Sequence, residues 1–284
     1  MMIKKGKSIK YILDIFKNNK KSLIIIYFYM LLAHSIFLCE PYVIGKTIDG
    51  LIHRDYTWLY VFFLIEVFAN FFIYRRMVFD TKVYTTIYND LIVDYVGSDK
   101  TSDNSSKIAR TEMAQNIVNF MENDVQYIIM SAVSIIGSLF FIIFEHVLTG
   151  FIIFFAFIPI SFVVYVLYSK IAQSIRLNNT HYENKINVFT DGEKTDIDNF
   201  LKRRRNLVIF GSTLQAKNWV SMNVIKGAFL ILCLIIFTHS KINLTQGQAI
   251  AMYSYINQFL MSLMSIPIGV EIYSRIKDII KRIS

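Results

Sequence analysis

Apolar residues fall into six runs along the chain, and charged residues return between them. The runs are Ser22 to Cys39, Tyr56 to Tyr74, Val125 to Phe144, Val147 to Ser169, a fifth ending at Phe237, and a last one uncharged from Ile242 to Val270. The last run holds 29 residues. As a helix it would reach about 43 Å, more than the roughly 30 Å of a bilayer's hydrocarbon core. The pattern predicts six transmembrane helices, with Lys226 near the start of the fifth snorkelling to an interface. Two intervening segments, Arg75 to Asp124 and Lys170 to Asn223, are about fifty residues each and lack proline. In the first, Val83, Ile87, Leu91 and Tyr95 recur every four residues, and Ile117, Phe120, Met121, Val125 and Ile128 follow a 3-4 spacing. Helices are therefore expected to continue past the membrane. Gly97 to Ser106 reads as the turn of a hairpin projecting about 30 Å. In the second segment, Asp191-Gly192 and Gly211-Ser212 are the candidate turns. Residues 1–21 carry seven lysines, with Ile9, Ile12, Leu13 and Phe16 on one helical face. That pattern predicts an interfacial elbow helix leading into the six spans of residues 22–284.

Composition agrees with this layout. The chain is 54% hydrophobic and 15% aromatic, with a mean hydropathy of +0.44. Those values point to an all-α, polytopic membrane protein. The net charge of +9 invites a nucleic-acid partner. The distribution of the basic residues argues for the membrane surface instead. With both termini cytoplasmic, 27 of the 30 Lys and Arg residues lie inside, and only Lys46, Arg54 and Lys241 lie outside. That asymmetry sets the expected orientation, and a bacterial cytoplasmic membrane is the expected location. Trp58 and Trp219 fall at span boundaries, where tryptophan anchors at the interface. Cys39 and Cys233 both sit in apolar runs, so neither a disulfide nor a metal framework is expected. No cleavable secretory signal is read at the N-terminus.

Local patterns add a family resemblance. Pro41, Gly45, Ile48 and Asp49 close the first span, and Asn123-Asp124-Val125 with Ile128 opens the third. Leu244-Thr245 with Gly247 and Ala251 opens the sixth. In this order, on six spans with short outer loops and two long inner hairpins, they resemble the transmembrane domain of ABC exporters. Arg176, Leu177, Asn178, Glu183, Ser212 and Ala216 also look like a group of stand-alone six-span ABC-type membrane proteins. The resemblance implies a single transmembrane domain over residues 1–284 that works as a homodimer around a shared cavity. It also implies a nucleotide-binding ATPase as a separate partner docked on the hairpin tips, at Ser98, Asp99 and Lys100. No ATP site is expected in this chain, and ATP-Mg would enter only through the partner. Gly6-Lys7-Ser8 and Gly45-Lys46-Thr47 spell the end of a phosphate loop, but Met1 and Glu40 stand where its first glycine belongs.

Polar residues inside the spans are the remaining chemistry. Glu66 lies mid-span, where an ionised carboxylate costs at least about 2.5 kcal/mol, and Asn70 is one turn away on the same face. In the last span Ser254, Gln258, Ser262 and Ser265 line one helical face. Glu66, Asn70, Ser254, Gln258 and Ser262 are the candidate walls of a substrate cavity. Close packing through small residues is the alternative for the serines, and the one favoured for Ser131, Ser134 and Ser138. His34 reads as a packing residue, and Lys202 to Arg205 as headgroup attraction. Pro41, Pro159 and Pro267 are candidate hinges or bends. No hydrolase or other catalytic constellation is present. The expected function is the pathway-forming subunit of an ABC-type transporter. Two further readings stay open: a proton-driven peptide-type carrier using Glu66, and a non-transporting receptor or immunity-type protein.

Overall fold

The computed structural model describes residues 17–97, 111, 115–116, 118–183, 188–190, 192–240, 243–269 and 272–273. Its principal helices are α1 (Lys20–Ile52), α2 (Thr57–Gly97), α3 (Val125–Glu145), α4 (Val147–Phe154), α5 (Phe157–Glu183), α6 (Lys194–Ser240) and α7 (Gln246–Leu263). A π-helical turn, Phe120–Asp124, runs directly into α3. No strand occurs among the described residues. The elbow over residues 1–16, the hairpin tip at Ser98, Asp99 and Lys100, and the basic C-terminal residues from Arg275 onward lie outside the described residues.

Five stretches are long and apolar enough to cross a bilayer: Lys20–Ile52, Thr57–Val93, Phe120–Glu145, Val147–Asn178 and Lys194–Ser240. These make the chain an integral membrane protein. Six were expected, and α7 is the exception. Its 18 described residues include Gln246, Gln248, Asn257 and Gln258, which dilute its apolar character. It is instead the most enclosed helix of the bundle. Ala251, Met252, Tyr255, Ile256, Phe259, Leu260 and Leu263 are buried against α1, α3 and α6. Around it the main core gathers Ile142 of α3, Ile153 of α4, Ile160 of α5, and Met222, Cys233 and Phe237 of α6.

Several helices outrun any membrane. α2 has 41 residues and α6 has 47, about 60 Å and 70 Å against roughly 30 Å of hydrocarbon. The fourfold pattern that predicted the extension of α2 reappears as a second core at that end. Tyr84, Ile87 and Leu91 bury against Leu23 and Ile26 of α1 and against Val118 and Met121. In the second extension the sequence offered two turns, and the chain uses the region of Gly192, where its N–H donates to the Val188 carbonyl. Gly211-Ser212 is not a turn. α6 runs through it, and Gly211 instead lets the helix approach Ser174 of α5, whose Oγ would lie 3.2 Å from an added Cβ.

The opposite end of the bundle is closed by short loops. After α1 the chain reverses through Arg54 in the left-handed region (φ 59°), and Asn243 (φ 63°) does the same before α7. Asp55 then accepts from both the N–H and the hydroxyl of Thr57, at 2.9 and 2.7 Å. Those two donors hold its carboxyl below the usual carboxylate range. His146 caps α4, its Nδ1 lying 2.8 Å from the Thr149 hydroxyl, and its ring meets Phe237 edge-on.

The three prolines behave differently. Proline removes an N–H and crowds the carbonyl four residues back. For Pro159 that residue is Phe155, and the helix breaks at Phe155-Ala156 between α4 and α5. For Pro267 it is Leu263, where α7 ends before helix resumes at Ile266. Pro41 sits buried inside an unbroken α1.

Candidate functional site

The motif residues that open and close the chain meet at one place. Asp49, near the end of α1, accepts the Thr245 hydroxyl at 2.7 Å and the Gly247 N–H at 2.8 Å. Its carboxylate therefore caps the N-terminus of α7, where free N–H groups and the helix dipole favour negative charge. Thr245 completes the cap. Its side chain accepts from the Gln248 N–H, and the Gln248 side chain bonds back to the Thr245 N–H. The backbones touch as well. A Cβ on Gly247 would stand 1.9 Å from the Gly45 oxygen, and one on Gly45 would stand 2.6 Å from the Gly247 oxygen. Only glycine fits at either position. Two turns further in, the Tyr255 hydroxyl donates to the Leu38 carbonyl at 3.1 Å, while its ring stacks on Phe141 of α3 at 4.7 Å.

The loop at His53 folds α2 back along α1, which brings residues equally far from it level with each other. Thr47 donates to the Trp58 carbonyl at 3.1 Å. Glu40 and Glu66, thirteen residues on either side of His53, are brought level by the same reversal. Both are half-buried. The Asn70 amide donates to the Glu66 backbone carbonyl at 2.8 Å and lies 3.4 Å from its carboxylate. Glu40 is a member of this group that the sequence pattern did not single out. The signal was available, since two antiparallel helices joined at a known turn bring mirror-related positions together. On the facing side of α1, His34 Nε2 lies 2.6 Å from the Ser134 hydroxyl of α3, and the Ser138 hydroxyl donates to the Ser134 carbonyl. Ser134 and Ser138 are buried, as the close-packing reading of those serines expects.

The residues of the expected cavity wall lie on two helices. Glu66 and Asn70 lie on α2, which packs along α1. Ser254, Gln258 and Ser262 lie on α7, whose main neighbours are α1, α3 and α6. Ser262 donates to the Gln258 carbonyl at 2.8 Å and Ser265 to the Ser262 carbonyl at 2.6 Å, so both hydroxyls are satisfied within their own helix. The Gln258 side-chain oxygen is different, being buried without a hydrogen-bond partner. Such an atom forgoes about 1–3 kcal/mol of solvation and is left in need of a donor. No cluster of three or more potential metal ligands occurs among the described residues.

No curated protein matches the sequence. A family match does, over residues 12–247, and its description is an ABC transporter transmembrane region. The match takes in the α1 motif, the π-helical turn, both long extensions and the start of α7. With the Asp49 cap joining the first and last of these motifs, the chain belongs to the ABC transporter transmembrane region family.

Proposed function

We propose that this chain is the membrane subunit of an ABC-type transporter, forming the substrate path while a separate ATPase subunit supplies the energy. Membership of the family carries the reading. The extensions of α2, α5 and α6 support it, because a bundle that only had to cross the bilayer would not need helices of 41 and 47 residues. In this proposal the chain spans the membrane six times, with α7 and the residues after it as the sixth crossing. Both termini and the long extensions are cytoplasmic, and the membrane is a bacterial inner membrane. ATP and Mg²⁺ are held by the partner subunit, which docks at Ser98, Asp99 and Lys100, and this chain has no catalytic site. Two copies pair, so that the Glu66-Asn70 surface of one chain and the Ser254-Gln258-Ser262 face of the other border a common cavity. The unpaired Gln258 oxygen is its natural hydrogen-bond acceptor for substrate. Purification from native membranes should bring down an ATPase subunit, and ATP depletion should stop flux. Recovery of this chain without an ATPase, with flux insensitive to ATP, would overturn the reading.

The Glu40-Glu66 pair favours a second reading, a proton-driven carrier, because neighbouring intramembrane carboxylates suit proton exchange. Glu66→Gln should then abolish flux driven by a proton gradient while leaving ATP dependence absent. In the ATPase-driven case the same substitution should leave energy coupling intact.

A further inference from the structure

α5 and α6 run antiparallel at the extension end of the bundle, and between them lies a groove of ≈ 540 Å³. One wall is Phe162, Val163, Val166 and Leu167 of α5. The other is α6, where Ala216 and Val220 are interleaved with Thr213, Lys217 and Ser221 at fourfold spacing, so polar groups edge an apolar trough along a single face. Lys217 is the only charged residue lining it, is exposed, and has no ion-pair partner among the described residues. Exposed aromatic residues mark the same level. Tyr165 is 81% exposed, Trp219 65% and Tyr168 40%, the ring types that settle at the headgroup region of a bilayer.

We propose that this groove binds an anionic phospholipid, with an acyl chain along the α5 wall and the phosphate on Lys217. Three observations select that occupant. The trough is apolar, as a hydrocarbon chain requires. Its single charge sits at its edge beside interfacial aromatics, where a headgroup would lie. The surrounding charge has one sign: from Asn199 to Ser240, α6 carries Lys202, Arg203, Arg204, Arg205, Lys217 and Lys226 and no acidic residue. Among the described residues Lys202 alone in this set makes an ion pair, with Asp198 at 2.6 Å, and Lys226 donates to Met261 Sδ at 3.5 Å. Basic residues at this height attract anionic lipid.

Phe162 lines the groove and the chain has only two tryptophans, Trp58 and Trp219, so with both of these changed to phenylalanine a Phe162→Trp substitution reports on the groove directly. In a Trp58→Phe, Trp219→Phe, Phe162→Trp background, the full chain is reconstituted into phosphatidylcholine nanodiscs over a matched series of mole fractions of either brominated phosphatidylglycerol or brominated phosphatidylcholine, and the fluorescence of the single indole is read. The brominated anionic lipid should quench at about fivefold lower mole fraction than the zwitterionic one. Lys217→Gln should erase that preference, salt should shrink it, and Lys202→Gln should leave it unchanged. Equal quenching by the two lipids, or a preference that survives Lys217→Gln, would overturn the proposal. So would an indole at this position shielded from both lipids in a particle that mass photometry weighs as two chains, since the groove would then lie against a second copy.

Discussion

The crossing of α1 with α7 and the pairing of α5 with α6 represent two ways of joining helices. At the first, Gly45 and Gly247 bring backbone against backbone, and Asp49 binds both the hydroxyl and the amide at the start of the partner helix. At the second, large side chains hold the helices apart over a groove, and the close approach is left to Gly211 and Ser174. In a bilayer the hydrophobic effect does not drive helices together, so contact strength follows the closeness of packing and the hydrogen bonds made across it. The α1-α7 crossing is thus a fixed joint, and the α5-α6 pair is a surface on which other molecules can rest.

Glycine substitutions give the sharpest test of that contrast. Gly247→Val drives a side chain into Gly45 and Asp49, and should cost more than about 3 kcal/mol, read as lost folding yield and a large drop in thermal midpoint in detergent. Gly227→Ala, on α6 where an added Cβ meets nothing within 4 Å, should be neutral or stabilise by up to about 1 kcal/mol. If the two substitutions behave alike, the crossing is no joint. Asp49→Ala comes next. It removes the cap while leaving the glycine contact, and about 1–2 kcal/mol of destabilisation is expected, with faster hydrogen exchange confined to the first turn of α7. Tyr255→Phe keeps the stack on Phe141 but loses the bond to Leu38, for about 1 kcal/mol.

The smallest effect belongs to Asp55 on the loop beside the joint. Its carboxyl is held below the ordinary range by Thr57, so its contribution to stability is complete above the unfolded-state value and disappears as pH falls through the lowered one. Thr57→Ala should remove this slight acid dependence of the thermal midpoint, and an unchanged acid profile would show that the Thr57 bonds are not its source.

Much of this architecture was legible in the sequence because membrane helices announce themselves locally. The apolar runs located α1 to α6, and the fourfold spacing of Ile87 and Leu91 foretold a buried face well beyond the membrane. Thr245 and Gln248 stand at capping-box spacing, so even the start of α7 was written in four residues. Other features depend on partners distant in sequence. The acceptor role of Asp49 needs Gly247, nearly two hundred residues away. Periodicity places Glu66 and Ser254 each on a helical face but says nothing of which helices adjoin, and the packing of α2 and α7 on α1 appears only in three dimensions. α7 falls short of the apolar character of a span because Gln246, Gln248, Asn257 and Gln258 lie within its 18 residues, while its apolar face is buried against neighbouring helices. Gly211-Ser212 misled for a related reason, since a glycine chosen for helix contact has the same local appearance as one chosen for a turn.

The π-helical turn at Phe120–Asp124 sets the angular phase of the chain around it. Below and at its start, Val118 and Met121 are buried, and the next buried position is Gln126, a step of five where an α-helix would take three or four. Higher on α3, Ser134, Ser138 and Ile142 return to steps of four. The wider turn absorbs one residue, so the segment facing Tyr84 and Ile87 and the segment facing α7 stay in register with different neighbours. Deleting a single residue there would rewind the turn to α geometry and shorten the step from Met121 to Gln126 to an ordinary four, leaving both faces in phase, whereas deleting one from the regular helix just after it would swing one segment by about 100° relative to the other. Val118 and Met121 would rotate off their core, and the extension end would lose its alignment with the membrane bundle without a change in any residue that lines either.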